Sequence, residues 1–402
     1  MLFQRSAKKP RPLKSPLYFK DLALKAEDIY KPNIIPDIKV DGVAFETIHA
    51  GKSGKILQKG FISSLNDKFP VIADSMLKLF SIHNPGRYLN SLFVIIKPDN
   101  KAFVYSKYPM SVNVLLKRPV EQYSAVFRRD IADITSVVFK DDLANLTPID
   151  GDKFIWLFRE NWTFGLYFDL SRKLQQKTLM DELGYYYRYI LYIADYLFLE
   201  RGNNFDKMIK DGWFPFVALI GDGMDKLRRY YDEDKKHPFI LNELIDSFDK
   251  AKIETITSRW WNNSLFKRKE SIIKAGINSY LTNTDQGFIN AVKNLITELE
   301  GIIRISYHIE YSKKPTTKEI KEYIANKGLE RFSRPGSLCF PDKFLTYLSE
   351  YIFRGFDFEA GDLPESRPTV AHGVADDDIY SKEFALKIIL TLDNIYFFLG
   401  NR

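Results

Sequence analysis

Two kinds of hydrophobic spacing divide this chain. Up to about residue 170, apolar residues come in short runs separated by turn chemistry; beyond it they recur every three or four positions over long stretches. The runs 91–97 and 102–106 flank Pro98-Asp99-Asn100-Lys101, which predicts a β-hairpin. A second pair, 154–158 and 162–170, is separated only by Arg159-Glu160-Asn161, and 112–117 predicts a further strand. The alternation in 163–170 is imperfect, as in a strand buried on both faces. Helical spacing within this half is confined to 69–82.

After Ser171 the three-to-four spacing predicts helices over about 174–200, 203–211, 216–233, 240–261, 265–281, 285–308, 317–327, 342–353 and 382–399. Thr284-Asp285 and Pro315-Thr316-Thr317 supply start signals for two of them. The expected class is α+β. A proline-punctuated extended arm (Pro10, Pro12, Pro16, Pro32) occupies residues 1–35. A strand-rich mixed domain follows over 36–172, and a mainly helical region over 173–402. No fixed-period repeat is visible.

Composition narrows the function. With 402 residues, 45% of them apolar, and 31 Phe and 23 Tyr, the chain can build real cores and is not generally disordered. Its one cysteine, Cys339, has no partner for a disulfide or a cysteine-based zinc site, so an inert buried thiol in a reducing, cytoplasmic compartment is expected. No signal peptide is visible. The most apolar stretch, 185–199, is broken by Arg188 and Asp195, so no membrane span is expected. A net charge of +7 suits a polyanionic partner such as RNA. Local basic clusters are Lys8, Lys9, Arg11 and Lys14, then Arg228-Arg229, Lys235-Lys236 and Lys267-Arg268-Lys269; each also reads as a solvated face.

Several familiar motifs fail. The glycine- and lysine-rich stretch 49–55 has the wrong spacing for a phosphate-binding loop and lacks Ser or Thr after Lys55. Gly221-Asp222-Gly223 lacks the third glycine and preceding strand of a dinucleotide fingerprint, and reads as a kink or helix contact. The five histidines are too scattered for a local metal pair, so no metal or cofactor is expected. The Tyr185-Tyr186-Tyr187-Arg188-Tyr189 and Trp260-Trp261 clusters read as packing before they read as base-stacking platforms.

The informative segment is Glu365-Ser366-Arg367-Pro368-Thr369-Val370-Ala371-His372-Gly373. Pro368 suits the first turn of a helix capped by Ser366 or Arg367. Arg367 then stands at the helix entrance and His372 about one turn inside. A helix N-terminus favours anions, arginine adds a bidentate phosphate donor, and histidine moves protons near neutral pH. Together they are the minimum equipment for phosphodiester cleavage through a ribose 2′-hydroxyl without a metal. Gly373 removes bulk and allows close approach. Asp376-Asp377-Asp378 reads as a turn and N-cap for the final helix, whose wide apolar stripe (Phe384, Ile388, Leu392, Ile395) is core or interface.

Arg367, four intervening residues, His372 and Gly373, then an acidic loop and a Leu/Ile-rich terminal helix, resemble the HEPN domains. The resemblance covers about residues 340–400. It implies a helical bundle that dimerises, so that two motifs form one metal-independent ribonuclease site of the kind found in toxin and antiviral-defence proteins. Arg367 is then the phosphate-contacting arginine and His372 the catalytic histidine, with Glu365, Ser366 and Gly373 in support. Pro368 stands where active members usually carry a polar residue. That keeps a second reading open, a non-catalytic HEPN-like interaction or nucleic-acid-binding module.

Overall fold

The hairpins and the 69–82 helix form where the spacing places them. The computed structural model describes residues 31–44, 56–83, 90–106, 110–122, 124–139, 147–232, 238–332 and 337–400. The basic N-terminal cluster, Lys235-Lys236 and the 49–55 stretch lie outside the described residues. The strands are β1 (Asn33–Ile35), β2 (Val43–Ala44), β3 (Ile56–Leu57), β4 (Lys59–Ser63), β5 (Ser91–Ile96), β6 (Ala102–Tyr105), β7 (Met110–Leu116), β8 (Ile131–Phe139), β9 (Lys153–Glu160) and β10 (Thr163–Asp169). Helix α1 (Phe69–Leu79) lies between β4 and β5.

Six strands form one antiparallel sheet in the order β1-β6-β5-β9-β10-β4. Alternation splits its side chains between two cores. Leu92, Val94, Ile155, Leu157 and Leu166 pack with Phe69, Ile72 and Leu77 of α1. Phe93, Ile95, Phe154, Trp156 and Tyr167 point the other way, onto Val137 and Phe139 of β8 and onto α2 (Gln176–Leu191). Both faces are covered, which is why the strands read as continuous apolar runs. Residues 33–35, expected in the arm, are instead the edge strand β1, paired with β6. Strand β8 had no counterpart in the hydrophobic pattern; it pairs with β7 in a separate two-stranded ribbon with irregular register.

The rest of the chain is helical: α3 (Ile193–Glu200), α4 (Asn204–Lys210), α5 (Asp222–Asp232), α6 (Pro238–Asp246), α7 (Lys250–Ser258), α8 (Ser264–Arg268), α9 (Glu270–Leu281), α10 (Asp285–Tyr311), α11 (Thr317–Phe332), α12 (Pro341–Tyr347), α13 (Arg367–Ala371) and α14 (Lys382–Leu399). The fold is α+β. The largest core joins α3 to α14 and also takes in Ala132 of β8. Gly184 of α2 lies so close to β8 that a Cβ there would stand 2.7 Å from the Ser136 Cα. At the same junction the fully buried Arg188 contacts Asp133 Oδ1 at 3.0 Å, and Ser337 Oγ donates to Asp133 Oδ2 at 2.9 Å. The sheet half and the helical half are thus tied across 171–175 by a buried polar network.

The apolar stripe of α14, read as core or interface, is core: Phe384, Ile388, Leu392 and Ile395 are all fully buried within the chain. The tyrosine cluster is packing as well, with Tyr186 stacked on Phe61 at 4.1 Å. Among the described residues no helix is long and apolar enough to cross a membrane.

Candidate functional site

Helix α13 is a single turn, and its sequence explains both ends. Ser366 is the N-cap: its hydroxyl accepts from Thr369 N and lies 2.8 Å from Thr369 Oγ1, with both residues fully buried. Pro368 fills the first turn, where no N–H is needed. At the other end Gly373 has φ +71°; its N–H reaches Val370 O and the Val374 N–H reaches Thr369 O. A Cβ at Gly373 would meet nothing within 4 Å, so glycine serves the left-handed backbone there and not the close approach expected from sequence.

Because the helix stops after five residues, His372 is its C-cap, not a residue one turn inside a longer helix. Its side chain is exposed and stands edge-on to Phe356, with ring centroids 5.7 Å apart. Arg367 occupies the first helical position, and its partner is Glu300 of α10, with Nε to Oε2 at 2.5 Å. Glu300 also holds Arg304, one turn along the same helix, at 2.5 Å. A single carboxylate therefore anchors two guanidinium groups. Arg367 stays 29% exposed, and its Nε, though beside Glu300, makes no hydrogen bond among the described residues.

Glu365 turns inward. It accepts the Tyr351 hydroxyl and lies 3.5 Å from Lys387 Nζ. Lys387 is almost fully buried on α14. It is held by Glu383 at 2.8 Å and by the Asp211 carbonyl at 2.7 Å, while Trp213 Nε1 donates to Glu383 at 3.0 Å. Burial and the neighbouring Glu365 charge push the Tyr351 hydroxyl well above its ordinary pKa, so it remains a donor. Glu365 and Ser366 thus fix the loop and helix from beneath, while Arg367 and His372 face outward. The acidic triplet forms a short turn at 377–379, but the cap of α14 is Ser381, whose hydroxyl accepts from Phe384 N at 3.0 Å. Asp376, Asp377 and Asp378 do not cap that helix.

Glu300, Tyr351 and Lys387 were not singled out from sequence. Glu300 left one trace, its spacing of four from Arg304; its link to Arg367 spans 67 positions and leaves none. Among the described residues no group of three or more His, Cys, Asp or Glu side chains is placed to hold a metal. Comparison with family models, with curated proteins and with solved structures returns no significant match.

Proposed function

We propose that this chain acts on RNA through the α13 corner in the manner of a HEPN-type protein: Arg367 contacts a phosphate, and cleavage takes place where two copies bring their Arg367 and His372 side chains together. The observation that supports this best is the state of Arg367. Glu300 lies 2.5 Å from Nε as an ion pair without a hydrogen bond at that atom, and the Nη pair is left for a bidentate phosphate contact. His372 is exposed at the other end of α13 and offers an imidazole for proton transfer.

A single copy is a poor catalyst on this geometry. Residues five apart on a helix are turned by roughly 140° from one another and displaced by about 7.5 Å along the axis. The two groups of one α13 therefore do not converge on one phosphorus. Two facing copies supply an arginine from one side and a histidine from the other. The buried stripe of α14 is spent on the chain's own core, so such a pairing runs through the surface around α13, where Phe358 is 62% exposed and packs on Phe356 under His372. The second reading, RNA binding without cleavage, draws on the same ion pair: an arginine already neutralised by Glu300 offers less charge to a transition state.

Single-stranded RNA incubated with the protein over a range of concentrations separates the two. Cleavage should rise with the square of protein concentration, persist in chelator and leave 2′,3′-cyclic phosphate ends. His372→Ala and Arg367→Ala should each lower the rate on the order of a hundredfold. Mixing the two variants should restore part of the activity, since one copy then supplies the intact arginine and the other the intact histidine. RNA that is bound but stays intact at every concentration establishes the binding reading; RNA that is neither bound nor cut removes both.

A further inference from the structure

Away from α13, four elements meet at a cleft whose charge is unbalanced. The end of β7 brings Lys117 and Arg118, the turn at 259–262 brings Arg259, and the last turn of α11 brings Arg331. These four cations line a 360 Å³ cavity closed on its far side by the end of α14, and among the described residues no carboxylate lines it. A 220 Å³ chamber shares Lys117, Arg118 and Arg259 and adds Arg129 and Lys252, with Asp130 and Asp222 as its acids.

Two of these cations have partners. Arg118 meets Asp130 at 2.8 Å, and Arg259 meets the fully buried Asp393 at 2.5 Å, where Trp260 Nε1 also donates. Two have no ion pair among the described residues. Lys117 is 8% exposed, and its ammonium donates only to the Ile220 carbonyl. Arg331 keeps a buried Nη1 without a hydrogen bond. Burial, with Lys252 and Arg259 nearby, pulls the Lys117 ammonium down to about 7, against smaller opposing pulls from Asp222 and Asp393. A protein rarely holds such a group without a counter-charge.

The magnitudes favour a ligand over simple complementarity with helix ends. The C-terminal ends of α11 and α14 each carry roughly half a negative charge. Set with Asp130, Asp222 and Asp393 against the six cations, of which Lys117 is only partly charged near neutral pH, they leave between about one and two positive charges among the described residues. The 360 Å³ cavity falls in the size range of small-ligand sites. Asn262, exposed at the rim, and the half-buried Tyr396 offer an amide and a ring beside the charges.

We infer that this cleft binds a phosphorylated small molecule of nucleotide size, with Lys117 and Arg331 as the groups that meet its phosphates. The site is separate from α13 and does not depend on that corner contacting RNA. Lys117 sits where β7, α5 and α7 converge, so an anion there also ties the ribbon to the helical half.

Titration calorimetry and thermal melting of the full chain test this with ADP, pyrophosphate, inorganic phosphate and a 20-nucleotide RNA as probes. ADP or pyrophosphate should bind and raise the melting temperature. Affinity should be several-fold higher at pH 6 than at pH 8.5, because Lys117 is then charged. Arg331→Gln and Lys117→Met should each weaken binding at least tenfold. Without ligand both variants should melt at or above the wild-type temperature, since each removes an uncompensated cation; a residue with a purely structural role would lower it. The inference is overturned if no small phosphate probe binds the folded wild type, if both variants bind as well as wild type, or if only the RNA binds through these residues, which makes the cleft a backbone track.

Discussion

Two arginine–carboxylate pairs in this molecule do opposite work. At the junction of sheet and helices, Arg188 and Asp133 are both buried, and Ser337 and the Ile134 carbonyl complete the network. At the α13 corner, Arg367 and Glu300 form a pair at 2.5 Å, against 3.0 Å in the junction, and its arginine reaches solvent. Burial makes the difference. In the junction neither charge has water as an alternative, so each partner is needed to keep the other inside. At the corner Glu300 is buried too, but it keeps Arg304 when Arg367 is lost and the Arg367 guanidinium has water on one side, so the Arg367 pair adds little stability and its free nitrogens remain available. The junction is structural and the corner is available for function, although the bond chemistry is the same.

The strongest way to break this comparison is Arg188→Ala. It strands Asp133, whose carboxyl burial already pushes up, and should cost about 3–5 kcal/mol in denaturant unfolding. A loss below about 1 kcal/mol would mean that water enters the junction and that the two pairs are alike.

The neighbouring Asp195 sharpens the comparison through pH. Burial raises its carboxyl to about 6, against the pull of Arg128 at 3.1 Å. The folded state therefore holds a proton that the unfolded state has released between about pH 4 and 6, and stability should fall as pH rises through that window. The fall amounts to about 3 kcal/mol and is flat above it. Asp195→Asn should remove this slope from chemical denaturation curves recorded at each pH.

Smaller effects belong to the corner. Ser366→Ala removes the α13 cap and should cost about 1 kcal/mol, with Arg367 losing its fixed approach and RNA affinity falling with it. Arg367→Ala should change stability least, by less than about 1 kcal/mol, while weakening RNA binding in a filter or anisotropy assay. If Arg367→Ala instead destabilises as much as Arg188→Ala, the corner is structural and the functional proposal for it fails.

The hairpins, the 69–79 helix and the terminal helix 382–399 were legible because each rests on local periodicity and turn chemistry. So was a cap at Ser366 or Arg367 with Pro368 behind it, which the structure settles as Ser366. Strand β8 was not, because its residues serve three neighbours at once: Val137 and Phe139 face the sheet, Ala132 faces the helical core, and Asp133 meets Arg188. Packing from several directions erases the alternation that marks a strand in sequence. The length of α13 was missed for a related reason, since Gly373 could as well have been a glycine inside a longer helix.

Charge shows the division most clearly. A surplus of seven positive charges, the spacing of the helices, and an Arg–His pair standing beside a cap are all written along the chain. The sequence also pointed to basic clusters, of which the described ones find partners: Arg228 pairs with Asp225, Lys267 with Glu270 and Lys269 with Glu298. It took folding to bring Lys117, Arg118, Arg259 and Arg331, drawn from more than two hundred positions of chain, to one cavity without a carboxylate among the described residues that line it. Periodicity and capping act within a few residues and are written along the chain. Electrostatic balance depends on which distant groups share a low-dielectric space, and only folding fixes that.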